Sequence, residues 1–215
     1  MNIDHHSRQE SIYQNVIERF GQNYRVDDCD RILLETEHYY VTPTLGSIVP
    51  NWLLVWPRSY FLNCMDWRGS FLGISQLSKD VLWRLTGSCE TEHIWFEHGC
   101  GATGSDVGCG VNFAHLHILV EPGFDFNCFS RTVEMRSGYG WKSGEDLCQN
   151  DFGNTSDYHL FGNSNHQKYV CNSTRLGSQF FRRTIAEITG KDDDWNYRTH
   201  PFQENAARTV RNFAA

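Results

Sequence analysis

The chain has 215 residues, 40% of them apolar and 14% aromatic, which suits one globular domain with a sizeable core and excludes a disordered chain. A formal charge of -7 opposes the Lys/Arg-rich surface that binds phosphate backbones, so no nucleic acid polymer is expected as partner. No apolar run approaches the roughly 18 residues of a membrane helix, and Met1-Asn2-Ile3-Asp4-His5-His6 lacks a basic-then-apolar leader, so a cytoplasmic protein without membrane contact is expected.

In chain order, Ile12, Val16, Ile17 and Phe20 recur at helical spacing, and Gly21 stops that helix. Strands are expected at Arg31 to Glu35 and His38 to Thr42. Another, Trp52 to Trp56, is apolar on both faces and closed by Pro57. Leu77 to Leu85 reads as a helix ended by Gly87, and His93 to Glu97 as a strand. A glycine-rich loop, Gly99 to Gly110, leads into a long strand, Val111 to Glu121, closed by Pro122-Gly123. Residues 124–156, rich in Gly, Ser and Asn, are expected to be mostly an extended connection with at most a short helix. Tyr158 to Phe161 and Lys168 to Cys171 form a hairpin across Gly162-Asn163-Ser164-Asn165. Helices from Ser178 to Thr189 and from Glu204 to Phe213 close the chain. Strands early and helices late give α+β with an antiparallel sheet. The expected division is an N-terminal helix and lead-in (1–30), a core (31–123), and a connection, hairpin and C-terminal helical extension packed on it (124–215).

The eight cysteines include no C-x-x-C pair, and no histidine pair completes a zinc knuckle. They read as reduced, mostly buried thiols; neither metal nor cofactor is expected.

The sharpest feature is Phe113-Ala114-His115-Leu116-His117-Ile118-Leu119. On a strand, Phe113, His115 and His117 share one face, while Ala114, Leu116 and Ile118 point into the core. Two imidazoles projecting together from an edge of the sheet can serve as nucleophile, acid or base. Spacing alone equally fits two packing histidines.

With its surroundings, this strand resembles the histidine-triad (HIT) superfamily of nucleotide hydrolases and nucleotidyltransferases, whose pattern is His-x-His-x-His followed by two apolar residues. Glu35 to Val41, Leu45 to Arg58, Phe96-Glu97-His98-Gly99 and Gly108-Cys109-Gly110-Val111-Asn112 extend the resemblance over about residues 31–121. It implies a HIT-like antiparallel sheet, a homodimer, and a nucleotide or nucleotide-conjugate substrate attacked at its α-phosphate. By the same resemblance His115 is the nucleophile that forms a nucleotidyl-histidine, and His117 contacts the phosphate and handles the leaving-group proton. Two positions depart from the pattern. Phe113 stands at the first triad position and cannot make imidazole hydrogen bonds. Cys109 and Gly110 stand where the family often carries Gln or Ser. A nucleotide-binding or sensing module with little turnover is therefore the alternative.

Phosphate contacts are expected from Gly108 and Gly110 in the loop and Asn112 just after it, although the loop glycines equally fit a purely conformational role, and from Ser178-Gln179-Phe180-Phe181-Arg182-Arg183. There Ser178 would cap a helix whose first-turn amides favour an anion, Gln179 would supply a side-chain amide, and Arg182 and Arg183 would add cationic forks. An ordinary amphipathic helix with solvated arginines fits the same residues. Trp52 and Trp56 share a strand face and could wall a base pocket or simply pack, and His98 reads as a structural histidine.

Overall fold

The computed structural model describes residues 28–88, 90–102, 113–138, 141–143, 157–165, 168–171 and 176–213. Among these, eight strands form one antiparallel sheet in the order β1-β2-β3-β5-β4-β7-β8-β6. The strands are β1 (Leu34–Glu35), β2 (Tyr39–Pro43), β3 (Trp52–Pro57), β4 (His93–Gly99), β5 (Leu116–Val120), β6 (Lys142–Ser143), β7 (Tyr158–Asn163) and β8 (Lys168–Cys171). Five α-helices accompany them: α1 (Cys64–Arg68), α2 (Phe71–Thr86), α3 (Phe126–Ser137), α4 (Phe180–Ile188) and α5 (Gln203–Phe213). The class is α+β. Among the described residues no helix is long and apolar enough to cross a membrane.

Both faces of the sheet are covered, which explains why β3, β4, β5 and β7 are buried along their whole lengths. On one face Leu53, Val55, Trp95, Leu116, Ile118 and Leu160 pack with Phe71, Ile74, Leu77 and Val81. On the other, Trp52, Ile94, Phe96, Leu119 and Phe161 pack with Phe126, Phe129, Val133, Phe181 and Ile185. The period of two along each strand assigns each residue its face. The sheet runs across residue 123, because β7 pairs with β4. The C-terminal hairpin thus extends the sheet itself.

Several expected boundaries move. The helix expected at Leu77 to Leu85 starts at Phe71, because Ser70 caps it by accepting from Gly73 N–H, and Gly87 ends it in the left-handed conformation. Residues 126–137 are not an extended connection but a 12-residue helix. Asp125 caps it, Phe126, Phe129 and Val133 bury one stripe, and Gly138 at φ 63° terminates it. The long strand expected from Val111 begins only at Leu116. Ala114 instead gives its N–H to the Phe61 carbonyl at 2.8 Å. Nor is β5 an edge strand, since it lies between β3 and β4. Ser178 is not the cap of α4: Gln179 holds that position at φ 65°, with no side-chain capping bond. The helix expected near residue 12 lies outside the described residues.

Gly99 ends β4 against a ring. A Cβ there would stand 2.0 Å from Tyr158 Cζ and 2.3 Å from its Cε1. Tyr158 is buried and hydrogen-bonded, so it cannot swing aside. Gly99→Ala is expected to cost about 1–3 kcal/mol by overpacking. Urea unfolding of the variant against wild type checks this; an unchanged midpoint would show that the ring has room to move.

Candidate functional site

The face of the sheet bearing Trp52 carries a row of rings at one end. Pairing places His117 of β5 opposite Leu54 of β3 and Phe96 of β4, and His98 of β4 opposite His159 of β7. His115 lies just before β5 on the same side, its ring centroid 5.1 Å from that of His117. Trp56 stacks on His115 at 5.5 Å, and Phe96 stacks on His117 at 4.6 Å. His115 and His117 keep only 7% and 6% of their surface exposed, a thin solvent-facing edge.

Hydrogen bonds fix the two tautomers oppositely. His115 Nδ1 lies 2.9 Å from the Phe113 carbonyl. A carbonyl can only accept, so Nδ1 holds the proton and Nε2 of the neutral ring carries the lone pair. Trp52 Nε1–H can only donate, and it donates to His117 Nδ1 at 3.0 Å. The proton of neutral His117 is therefore on Nε2. Burial lowers the pKa of both, and the nearby His115, His98 and Arg182 lower His117 further. Both rings are neutral near pH 7. One offers a bare nitrogen and its neighbour an N–H, which together suit an electrophile that carries an electron-rich oxygen.

Phe113 packs its ring on Trp56 at 5.5 Å, while its backbone carbonyl orients His115. Orientation of His115 therefore survives without an imidazole at position 113.

Arg182 is buried. Its guanidinium donates to the Gly46 carbonyl at 2.5 Å, to the Leu45 carbonyl and to Thr44 Oγ1, and it lies 4.6 Å over Trp52. It pins the 44–46 loop behind Trp52, and its charge reaches His117 and His98 through space. Arg183 stacks over Trp195 at 4.3 Å. Arg182 is thus no solvated fork, whereas Arg183 is half-buried. Gln179 is buried with its Oε1 unpartnered. Ser178 lies two residues before α4, half-buried. Gly108, Gly110 and Asn112 lie outside the described residues.

Sequence reasoning missed three features. His98 and His159 are buried, 5.1 Å apart, and extend the imidazole row beyond His117, with His98 6.2 Å from it. Trp52 has a polar task at His117, with no sequence signal beyond its shared face with Trp56. Glu97 is buried on the opposite face, where the alternation His93-Trp95-Glu97 sets a carboxyl at a core position. That misfit was the available signal. Among the described residues, no three His, Cys, Asp or Glu side chains converge to hold a metal ion. Among the described cysteines, Cys64 and Cys100 are buried and Cys128 is exposed.

Compared with descriptions of known protein families and with curated protein sequences, the chain matches none.

Proposed function

We propose that the chain is a histidine-triad-type nucleotide hydrolase or nucleotidyltransferase that acts on the α-phosphate of a nucleoside 5′-phosphate derivative through His115. The observation that carries this reading is the opposed tautomer pair, a bare Nε2 on His115 beside an Nε2–H on His117. In the first step the His115 lone pair forms a P–N bond as the bond from phosphorus to the leaving group breaks. The electron pair leaves with that group, which takes its proton from solvent, while the Nε2–H of His117 donates a hydrogen bond to a phosphoryl oxygen. In the second step an acceptor oxygen, from water or another nucleophile, attacks the phosphorus. The P–N bond breaks, its electrons return to Nε2 of His115, and the acceptor's proton goes to solvent. Two moderate displacements replace one difficult one. The Nε2–H of His117 and the Arg182 charge behind Trp52 favour the negative charge gathered on the phosphoryl oxygens.

Trp56, stacked on His115, is suited to wall the nucleoside side of such a site. The Phe113 ring favours a second reading, a nucleotide-binding or sensing module, because it removes one imidazole from the triad. Acid-free quenching of the protein with a panel of nucleotides and dinucleotides, followed by peptide mass analysis, separates the two. A nucleotidyl mass on the peptide containing His115 is expected. Saturable mononucleotide binding with neither adduct nor product would favour the module.

A further inference from the structure

On the face of the sheet opposite the imidazole row, a second polar cluster joins β4, β7 and the start of α1. Glu97 is 1% exposed, and its carboxyl is fully engaged. Oε1 accepts from the Cys64 backbone N–H at 2.6 Å, and Oε2 accepts from the Tyr158 hydroxyl at 2.6 Å. Burial and the Glu97 carboxyl push the Cys64 thiol pKa up while the His115 backbone N–H pulls it down, so both groups act on the Cys64 sulfur. One residue earlier, Ala114 gives its N–H to the Phe61 carbonyl at 2.8 Å. Residues 61–64 thus hold the chain on which His115 sits, where no sheet ladder reaches. The same segment is tied to the start of the glycine-rich loop, since Asn63 Nδ2 donates to the Cys100 carbonyl at 2.8 Å. Burying a carboxyl is costly unless it is hydrogen-bonded, and an apolar side chain would suit this core better for stability alone.

We propose that Glu97, acting through Cys64, is a positioning residue that fixes the backbone of His115 and so aims its Nε2. This rests on His115 being the nucleophile. The groups facing Glu97 are Cys64 and Asp66 of α1 and Tyr158 of β7, with Arg68 acting on Cys64. Glu97 has no path to substrate, because the sheet separates it from the His117 face. Its effect must travel through residues 61–64, which Glu97 holds at the Cys64 N–H and which hold the Ala114 N–H at the Phe61 carbonyl, with Cys64 beside His115.

The test compares Glu97→Gln, Cys64→Ala and Cys64→Ser with wild type in the full chain. The readouts are amide hydrogen exchange by NMR and steady-state kinetics on whichever nucleotide wild type turns over. Exchange at the His115 amide is expected to rise about tenfold or more in E97Q and C64A, with Leu53 and Ile118 unchanged. Misaiming a reacting group is felt chiefly in the chemical step, so kcat is expected to fall about tenfold or more with KM within about twofold. C64S should recover most of both, because a hydroxyl can still donate to Glu97 and accept from His115 N–H. His115 exchange equal to wild type in E97Q and C64A would overturn the proposal, as would faster exchange with unchanged kcat. A wild-type protein without turnover would defeat the function proposed above and with it the aiming role, while the exchange data would still report separately on the cradle. If E97Q does not fold, the C64A and C64S pair decides by the same criteria.

Discussion

His115→Asn is expected to reduce turnover by at least about a thousandfold, the scale on which loss of a covalent nucleophile is felt. The substitution is chosen for what it keeps. An asparagine amide can still donate to the Phe113 carbonyl, so the local backbone and the stacking surface of Trp56 have reason to stay in place. What it lacks is a nitrogen lone pair able to bond phosphorus. His117→Ala should cost less, about a hundredfold to a thousandfold, because it removes one donor to the phosphoryl oxygens and leaves the nucleophile. It also strands the Trp52 Nε1–H in the core, so some loss of stability is expected alongside. Steady-state assays, with circular dichroism to verify folding, check both. His115→Asn retaining wild-type rates on every active substrate would remove His115 from the mechanism. Losses in the reverse order would exchange the two roles.

The parts of this site that were legible in sequence share a cause. His115 and His117 stand two residues apart next to apolar alternates, so strand periodicity alone gives their common side and the inward course of Ala114, Leu116 and Ile118. The strand Trp52–Pro57 and the hairpin at 158–171 were legible for the same reason, with apolar runs and turn residues marking both. Long-range partners were not. Trp52 and His117 are 65 residues apart, and Glu97 and Tyr158 are 61 apart. No local rule reports which strands neighbour one another. Arg182 shows the same limit. Its place in the first turn of a helix suggested a cationic fork for phosphate, yet the 44–46 loop, 136–138 residues away, captures its guanidinium. Helix α3 was legible but outweighed: the Asp125 cap, the Phe126-Phe129-Val133 spacing and Gly138 were overshadowed by the polar composition around them.

Stability is expected to fall steeply as pH drops from 7 toward 4.5, because the protein buries its imidazoles in the neutral form. Burial lowers His93 and His159 to about 4, and lowers His98, His115 and His117 as well. Below the ordinary histidine pKa near 6.5 the unfolded chain takes up protons that the folded chain refuses, so stability rises with pH across this window and is lost on acidification. At about 1.4 kcal/mol per pKa unit, His93 and His159 alone account for roughly 3 kcal/mol each by pH 4. That sum is comparable with the 5–15 kcal/mol that holds a typical domain folded. Glu97 works in the opposite sense. Burial pushes it up to about 7, so its contribution is fully present below the usual carboxyl pKa and fades as pH rises through 7. Burial raises Asp66 in the same sense, and two carboxyls against five imidazoles leave the histidines dominant between pH 4.5 and 6.5. Urea unfolding at pH 7.5, 6 and 5 should show a loss of several kcal/mol, with net proton uptake on unfolding. A flat profile would mean that these rings are solvated or charged in the folded protein. His159→Phe sharpens the test. His159 makes no well-formed side-chain hydrogen bond, although the Gly177 backbone lies beside it, and it packs on Phe180 and Phe181. A phenyl ring should fit there at little cost at pH 7.5, remove about one proton from the acid slope, and leave the variant more stable than wild type at pH 5.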